Sequence, residues 1–439
     1  MDGTWTLNTI FDALGISQPA NLPHVPISNV QTNPSNCSAN SFFIPTVFSL
    51  QKLGYESEIS AIKDAIANGA AAVMTHQEKF PFSSAVPIIR VKDSRKILAM
   101  LSIYARQRFV GKIIAVTGSV GKTTTKDMVS SGLSKFGSSY KTNKSNNPLS
   151  GVCMTMINAP FDNDYLTLEI GSMGPGNIRQ AELIRPNIGI ITNVWASAHL
   201  ESYLDEEALF REKASLLDLL VGPKIGIIHE SVRDADRKAG GVIADKQLGR
   251  LITIGSTGDS DIYCENAHFD GIKSTGVMWV FGTPYPFELD LAGAHFIDSA
   301  MFAVATAAAL DQDVSIVIAS FAKPNITGRR LERYCIKLKD GDIEFIDDSY
   351  NASPVSVRAL ITTLSLRKAP RKVFVWGDMK RLGDRTELYH SQIVSMNGLG
   401  NIDLVLTISE QTQKVRRELG LSNKLHFPDC EALAPAISD

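Results

Sequence analysis

The stretch that decides the fold is "VTGSVGKTTTKDMV", residues 116–129, which follows the apolar run "KIIA". Apolar residues ahead of a glycine turn predict a buried strand, and the residues after the turn predict a helix. Glycine permits turns in which several backbone N–H groups point into one concavity, and a helix N-terminus adds partial positive charge. The stretch therefore predicts a strand, a phosphate-binding loop and a helix.

Each residue type in this loop has a chemical task. Gly118 and Gly121 make the turn, Lys122 brings positive charge to the terminal phosphates, and the hydroxyl of Thr123 can bind magnesium. The spacing, G-x-x-G-K-T, is shorter than the common G-x-x-x-x-G-K-[ST]. A plain glycine turn with a solvent-exposed lysine is the alternative. The agreement of strand, glycines, lysine, threonine and helix favours the phosphate loop.

Working outward, the pattern predicts an α/β protein of three domains. Residues 1–109 read as a small α/β domain. Residues 110–327 repeat strand-then-helix units, with continuous apolar strands such as "NIGIITN" that are typical of a mostly parallel sheet. Within that domain, residues 259–291 predict an antiparallel meander. After the linker "KPNITGRR", residues 328–439 predict a Rossmann-like α/β domain.

Composition excludes several classes of protein. The formal net charge of the 439 residues is −2, whereas a general nucleic-acid binder has a basic excess. No stretch approaches the roughly 20 apolar residues of a membrane span, and the N-terminus lacks the pattern of a signal peptide. Five scattered cysteines form no C-x-x-C pair. These features favour a reducing, cytoplasmic location.

Polar side chains follow two other predicted strands. Glu169 ends "YLTLE", and Asn193 and His199 follow "IGIIT". Open α/β sheets bind ligands at the carboxyl ends of their strands, and nucleotide sites take a second metal ligand from such an end. Glu169 could instead be a turn or capping residue, and a lone histidine is often a packed or surface residue.

Together these stretches resemble the Mur ligase family, the ATP-dependent ligases that join amino acids to the cell-wall precursor. Matching stretches in family order include "TNKSNNPLSGV", "LEIGSMGPGNIRQ", "FREKASLL", "DDSYNASP" and "GDMKRLGD". The last two are similar to the branch that adds D-alanyl-D-alanine to UDP-N-acetylmuramoyl-tripeptide in peptidoglycan synthesis. The resemblance implies that ATP phosphorylates a carboxylate and an amine then attacks the acyl phosphate. It also implies small-molecule substrates and a monomer.

The resemblance implies roles for the residues of the central domain. The ATP phosphates would be held by Gly118, Ser119, Val120, Gly121, Lys122, Thr123 and Thr124. Thr123 and Glu169 would bind one Mg²⁺, and His199 would help to bind a second. Lys213 matches a lysine that is carbamylated in several members and joins Lys122 and His199 as a catalytic candidate. A solvated helix lysine is the alternative for Lys213.

Further roles follow for residues outside this loop. The candidates for substrate contact, or for bracing the phosphate loop, are Thr142, Asn146 and Asn147, and Asn193 is a further candidate for substrate contact. Asparagine also suits plain turns. His295 would lie near the adenine, Arg329 would contact ATP, and Asp348 would bind the ribose hydroxyls. Tyr350 and Asn351 beside it are further substrate candidates. Because third-domain residues reach ATP, the linker near Gly328 would act as a hinge.

The chain also departs from the family. Residues 33–35 and 57–59 are Asn-Pro-Ser and Ser-Glu-Ile, where the family carries Asp-Ser-Arg and Asp-Gly-His stretches linked to UDP binding. Ser299 replaces an asparagine near the adenine, and Arg381 replaces a glutamate. The family continues with another strand beyond residue 439, so a shorter member and a fragment both fit.

Several readings therefore stay open. The chain could be a peptidoglycan ligase, a Mur-type ligase for a carboxylate without UDP, or an ATP-binding relative without catalysis. A plain P-loop kinase or GTPase is a weaker rival. Such a protein would need neither the asparagine-rich loop nor the third-domain acid nor Lys213.

Overall fold

The computed structural model describes residues 5–20, 22–77, 84, 86–91, 96–195, 202–338, 341–380, 382–418 and 426–438. The chain divides into two compact units. One comprises residues 1–114, 137–170 and 179–186, and the other comprises residues 115–136, 171–178 and 187–439. The three predicted domain ranges, 1–109, 110–327 and 328–439, stay a prediction.

The N-terminal part contains a small parallel sheet, which has the order β3-β4-β5-β6, and a two-stranded antiparallel pair, β1-β2. Its strands are β1 (Trp5–Thr6), β2 (Pro26–Ile27), β3 (Asn29–Gln31), β4 (Ser41–Phe43), β5 (Ala70–Thr75) and β6 (Ile88–Arg90). Its helices are α1 (Leu7–Leu14), α2 (Val47–Lys52), α3 (Glu58–Ala67) and α4 (Ile97–Arg108). The predicted α/β character of this part is confirmed.

Within the described residues, the central sheet has nine strands in the order β15-β14-β13-β12-β11-β10-β7-β9-β8. They are β7 (Lys112–Thr117), β8 (Ser139–Lys141), β9 (Tyr165–Glu169), β10 (Ile188–Ile191), β11 (Ile225–His229), β12 (Arg250–Gly255), β13 (Ile262–Phe269), β14 (Ser274–Val280) and β15 (Thr283–Leu289). The pairs from β10 to β13 are parallel, and β13, β14 and β15 pair antiparallel. A mostly parallel sheet that carries an antiparallel meander was the prediction, and it is confirmed.

Helices accompany this sheet: α5 (Lys122–Leu133), α6 (Leu149–Asn158), α7 (Glu206–Ala214), α8 (Glu230–Lys238), α9 (Ala294–Ala309) and α10 (Val314–Ser320). Strands β10 and β11 read as isoleucine runs because both faces of a parallel sheet are covered. Phe210 and Leu217 pack with Ile191 and Ile228 in one buried cluster. Burying each such side chain contributes about 1.5–3 kcal/mol. This core fixes the strand ends from which the candidate site is built.

The C-terminal part contains an antiparallel hairpin of β16 (Glu332–Leu338) and β17 (Gly341–Asp347). A parallel sheet follows, formed by β18 (Val373–Trp376), β19 (Leu404–Ile408) and β20 (His426–Phe427). Its helices are α11 (Pro354–Leu366), α12 (Thr386–Val394), α13 (Glu410–Glu418) and α14 (Cys430–Ser438). The predicted strands in "EFIDDSY", "KVFVWGD" and "LVLTIS" are present.

No helix in the described ranges is long and apolar enough to cross a membrane. The five cysteines are free thiols. Cys37 and Cys153 are buried, and burial raises the pKa of each thiol to about 11. Cys335 on β16 and Cys430 at the start of α14 are exposed.

Candidate active site

Two glycines shape the loop between β7 and α5. Gly118 has φ +146°, and a Cβ atom there would collide with Oγ1 of Thr192. Gly121 has φ +80°, in the left-handed region that favours glycine. Gly121 is also the N-cap of α5, and no side chain caps this helix end. The N-terminal end of a helix carries partial positive charge, so this end of α5 is a favourable place for an anion.

Lys122 brings its charge to the same loop. Its Nζ donates to the carbonyl oxygens of Gly118 at 2.8 Å and Ser119 at 3.1 Å. Thr123 and Thr124 follow in the first turn of α5 and are buried. An ammonium group and an uncapped helix N-terminus meet at one loop, which suits a polyphosphate. The predicted phosphate-binding residues therefore fit ATP in their chemistry.

The segment after β10 clamps this loop. Oδ1 of Asn193 accepts the Val120 N–H at 3.0 Å, and its Nδ2 donates to the Val120 carbonyl at 3.1 Å. Thr192 Oγ1 donates to the same carbonyl at 2.6 Å. The Trp195 N–H donates to Ser119 Oγ at 3.0 Å. Asn193 thus braces the phosphate loop, while its predicted contact with a substrate stays a prediction.

Lys213 lies on α7 and is 1% exposed, so the alternative of a solvated lysine is wrong. Burial, and to a smaller extent the charge of Lys122, lower the pKa of its ammonium to about 7, while the charge of Glu212 acts in the opposite direction. An amine with this pKa is substantially neutral at physiological pH. Lys213 can therefore react with an electrophile such as carbon dioxide.

Glu212 holds a loop that the sequence did not single out. Its carboxylate accepts the N–H groups of Gly176 at 2.7 Å and Ile178 at 2.8 Å, and Ser172 Oγ donates to it at 3.4 Å. The side chain is buried, which is rare for glutamate unless it is paired. Glu212 therefore fixes residues 172–178 against α7.

In the other unit, Glu169 ends β9 as predicted and is 1% exposed. Its Oε1 accepts from Nδ2 of Asn147 at 2.7 Å, and its N–H donates to Oγ1 of Thr142 at 3.0 Å. Two residues of the asparagine-rich loop are therefore gathered around the predicted metal ligand. Asn146 is part of a turn in which its N–H donates to the Asn143 carbonyl at 3.2 Å.

The predicted metal ligands offer suitable donors. The Thr123 hydroxyl and the Glu169 carboxylate are oxygen ligands, which Mg²⁺ prefers. The third predicted ligand, His199, lies outside the described residues. The donor chemistry of the two described residues fits magnesium.

His295 and Ser299 lie in the first half of α9. Burial lowers the pKa of His295 to about 4, so its ring is neutral at physiological pH, and the ring contacts Phe296 at a centroid distance of 4.0 Å. Ser299 Oγ accepts from Oγ1 of Thr125 at 3.3 Å and donates to the His295 carbonyl at 3.0 Å. The serine that replaces the family's asparagine thus ties α9 to α5.

The C-terminal candidates gather at the end of the linker. Asp348 accepts the Leu331 N–H at 3.3 Å, and burial raises the pKa of its carboxyl to about 7. Arg329 has φ +63°, and its exposed side chain places Nε 3.9 Å from Asp347. The Tyr350 N–H donates to the Arg329 carbonyl at 3.3 Å. The structure therefore brings Arg329, Asp348 and Tyr350 together, while the predicted contacts of Arg329 and Asp348 with ATP stay a prediction.

Asn351, the last predicted substrate residue, is exposed and follows this cluster. Its carbonyl accepts from Ser356 Oγ at 3.5 Å. The neighbouring Tyr350 ring has the Arg330 guanidinium 4.6 Å from its centroid. Contact of Tyr350 and Asn351 with a substrate stays a prediction.

Comparisons with known proteins agree with this geometry. The Mur ligase middle domain matches residues 116–307, and the Mur ligase, glutamate ligase domain matches residues 329–438. A UDP-N-acetylmuramoyl-tripeptide--D-alanyl-D-alanine ligase from Synechocystis sp. is 30% identical over 343 residues, which cover 76% of this chain and 70% of the relative. The chain belongs to the Mur ligase family.

Solved structures of Mur ligases share the fold. MurF from Acinetobacter baumannii superposes with a TM-score of 0.79 at 22% identity and covers 99% of this chain and 92% of that chain. The MurF ligase from Thermotoga maritima in complex with ADP has a TM-score of 0.72 at 21% identity and covers 93% and 90%. These matches confirm the predicted three-domain α/β architecture.

One further feature of this Mur ligase lies in the stretch "GDMKRLGD". Nε2 of the fully buried His390 accepts the Met379 N–H at 3.0 Å, and Nδ1 lies 2.7 Å from the Thr386 carbonyl. Asp378 accepts the N–H groups of Gln411 and Thr412 at the start of α13. Hydrogen bonds therefore fix this turn at its start, through Asp378 and Met379, and near its end, through the contact of His390 with Thr386. The predicted replacement at Arg381 lies outside the described residues.

Sequence reasoning missed Glu212, His390 and Asp127, a buried carboxylate on α5. Glu212 and Asp127 hold backbone N–H groups that lie 34 to 200 residues away in the chain, and His390 holds one that lies 11 residues away. Such partners leave no spacing signal. The only available hint was an acidic residue beside a lysine in a helix, at Lys126-Asp127 and at Glu212-Lys213.

Proposed function

We propose that this chain is an ATP-dependent ligase that joins D-alanyl-D-alanine to a UDP-N-acetylmuramoyl-tripeptide in peptidoglycan synthesis. The observation that carries the proposal is the clamped phosphate loop, where two loop carbonyls hold the ammonium of Lys122, in a chain of the Mur ligase family. The Synechocystis relative is named for these two substrates.

The chemistry follows from what a carboxylate lacks. A free carboxylate is a poor electrophile, so one of its oxygens first takes the γ-phosphoryl group of ATP, and ADP leaves. The incoming amine then attacks the carbonyl carbon, the C–O bond to phosphate breaks, and the amine loses a proton. Lys122 and the N–H groups at the start of α5 stabilise negative charge on the phosphates during the transfer.

The proposal includes a magnesium ion, for which Thr123 and Glu169 would be ligands. When bound there, magnesium would supply positive charge that offsets the negative charge of the phosphates. Asn147 donates to Glu169 and orients one carboxylate oxygen, while Thr123 offers its hydroxyl from the first turn of α5. His199, which lies outside the described residues, completes the proposed set.

Lys213 is the proposed site of carbamylation. The modification needs a neutral amine, and burial supplies one by lowering the pKa of Lys213 to about 7. Carbon dioxide then bonds to Nζ with loss of a proton and turns the neutral amine into a carbamate anion that can bind metal. Loss of a 44 Da adduct upon K213M substitution, seen by native mass spectrometry in bicarbonate buffer, tests this step.

The C-terminal residues complete the nucleotide site in this proposal. Arg329 contacts ATP, Asp348 binds the ribose hydroxyls, and His295 lies near the adenine. Tyr350 and Asn351 face the substrates. The chain acts as a cytoplasmic monomer, which fractionation of the source cells and light scattering of the purified protein test.

A second candidate is a Mur-type ligase that acts on a carboxylate without UDP. Its support comes from the N-terminal part, where the residues at the family's UDP-linked positions serve local structure. Asn33 accepts the Ser35 N–H at 3.0 Å, and Ser57 caps α3 by accepting the Ser60 N–H at 3.1 Å. The buried Glu58 pairs with His76.

Phosphate release decides between the candidates. ATP, Mg²⁺ and the chain are combined with UDP-N-acetylmuramoyl-tripeptide and D-alanyl-D-alanine, with both present and with each left out. Release that requires both substrates, and that K122M abolishes, supports the proposed function. ATP binding without release would move the assignment to the second candidate.

A further inference from the structure

Asp127 is a buried carboxylate that phosphate binding does not explain. It lies on α5, five residues after Lys122, and its side chain is fully buried. Aspartate is almost never fully buried unless it is paired. The equally buried Lys126 places Nζ 3.3 Å from Oδ1. The other oxygen, Oδ2, accepts the backbone N–H of Thr327 at 2.8 Å.

Thr327 begins a strained turn in the linker. Two residues soon after it, Arg329 at φ +63° and Leu331 at φ +52°, have left-handed backbone conformations. Bulky residues keep such conformations only where their surroundings hold them. The Arg329 N–H donates to Oε2 of Glu332 at 2.8 Å, and the Leu331 N–H donates to Asp348 at 3.3 Å. The turn is therefore anchored to α5 upstream and to Asp348 downstream.

These contacts form a continuous path through one unit. The phosphate loop is the N-terminal end of α5, and Asp127 lies little more than one turn along that rigid helix. Asp127 holds Thr327, and the strained turn then presents Arg329 and joins Asp348. Helix α5 begins at the phosphate loop. Through Asp127, the same helix positions the start of the segment that carries Arg329 and Asp348, the two candidate nucleotide-binding residues of the C-terminal part.

We propose that Asp127 is a positioning residue, which ties the linker to α5 so that Arg329 and Asp348 are placed relative to a nucleotide at the phosphate loop. The inference rests on the proposed function in one respect, that the nucleotide is ATP. Loss of Asp127 then acts on nucleotide binding through Arg329 and leaves the phosphate contacts of Lys122 in place.

Hydrogen exchange tests the tie directly. D127N keeps the size of the side chain and one acceptor oxygen but removes the negative charge. A hydrogen bond to a charged acceptor is roughly twice as strong as one to a neutral acceptor. We expect the Thr327 amide to exchange about fivefold faster in D127N, with Arg329 and Leu331 following. The proposal is overturned if these amides exchange at the wild-type rate.

A matched control exists in the same unit. Asp236 Oδ1 accepts the Ile243 N–H at the same 2.8 Å, well apart from the linker in sequence. D236N removes a comparable charge-assisted bond, so the exchange of the linker amides is expected to stay at the wild-type rate. Faster exchange of the linker in D236N as well would reveal a general loss of stability and would remove the special role of Asp127.

A double-mutant cycle separates positioning from simple stabilisation of α5. ATP affinity is measured by titration for wild type, D127N, R329M and the double variant. We expect D127N to weaken binding about fivefold alone and to have little effect once Arg329 is replaced. Equal weakening in both backgrounds overturns the proposal. If D127N does not fold, Thr327→Pro, which removes the donor from the linker, takes its place in the cycle.

Hydrogen exchange and the ATP-affinity cycle together distinguish a failure of this inference from a failure of the proposed function. A wild-type chain that binds no ATP contradicts the proposed function, and the exchange of the linker amides still shows whether Asp127 holds the turn. A chain that binds ATP with additive effects of D127N and R329M keeps the proposed function and loses this inference.

Discussion

At the scale of single residues, burial decides what the lysines of this Mur ligase can do. Lys122 is held over the phosphate loop by two carbonyls, and Lys213 is buried on α7 with a lowered pKa. The place of Lys122 at the end of a glycine loop and the start of a helix could be predicted from the spacing of glycine, lysine and threonine. The burial of Lys213 could not, because a lysine in a helix reads as solvated until the packing of α7 is known.

The lowered pKa of Lys213 predicts how stability depends on pH. Its pKa is about 7 in the folded chain and about 10.4 when unfolded, so between these values the unfolded chain binds more protons. The free energy of unfolding should therefore rise with pH from about 7 to 10, by roughly 1 kcal/mol per unit from this group. Urea unfolding across this range, without bicarbonate, measures it.

Two variants complete this test. K213M should lose the rise that Lys213 contributes, and K135M, at an exposed lysine on the surface, should keep it. A K213M chain with the same pH slope as the wild type would contradict the link between burial and charge at this position.

At the scale of elements, helices and strands were predicted best where a short local pattern of residues determines them. The isoleucine runs of β10 and β11 and the alanine-rich α9 are present as expected. Two prolines in β15, Pro284 and Pro286, fit because β15 is an edge strand, where a missing N–H costs little. The clamp of Asn193 on Val120 was not predicted, because it joins loops of two different strands.

The clamp predicts a loss of nucleotide affinity in N193A. Two hydrogen bonds to Val120 disappear, each contributing about 1 kcal/mol, so the phosphate loop becomes less ordered and ATP binding should weaken about tenfold. A titration with ATP measures the change.

The chain contains a matched control for this variant. Asn158 makes the same paired bonds to Val30, with distances of 2.8 and 3.1 Å, in the other unit. N158A should bind ATP like the wild type. Equal affinities of N193A and wild type would show that the clamp does not order the loop.

His390 gives a second prediction for an element, the turn before α12. H390L removes the acceptor of the buried Met379 N–H, so the free energy of unfolding should fall by about 2 kcal/mol. H390Q, which can place an oxygen near the same N–H, should lose less. Urea unfolding measures both, with the exposed H24L as control. A similar loss in H390L and H390Q would assign the effect to packing on Trp376 instead.

At the scale of the whole molecule, the meander and the C-terminal part meet within one unit. Nη2 of Arg333 lies 2.8 Å from both carboxylate oxygens of Asp290, and Nη1 of Arg367 donates to the Gly271 carbonyl at 2.8 Å. The sequence predicted both parts and the linker, but no local pattern records which side chains meet across them.

These contacts predict the effect of R333M on domain movement. The Arg333–Asp290 pair is partly exposed, and pairs of this kind contribute up to about 1 kcal/mol, so with the predicted hinge at the linker its loss should favour separation of the two parts by about threefold. Small-angle scattering should then show a larger radius of gyration for R333M without ligands, and a smaller difference with ATP and substrates bound. R237M, in the exposed Arg237–Asp234 pair, is the control. Identical profiles would contradict the contribution of Arg333.

The cysteines have a practical consequence for following such movement. Cys335 and Cys430 are exposed and both belong to the C-terminal part, whereas the buried Cys37 and Cys153 hold few thiolates at neutral pH. A maleimide dye should therefore react first with the C-terminal part of the natural chain. With Cys430 replaced by serine, the remaining fast-reacting label lies on the hairpin beside the linker, where its fluorescence can test the predicted hinge movement.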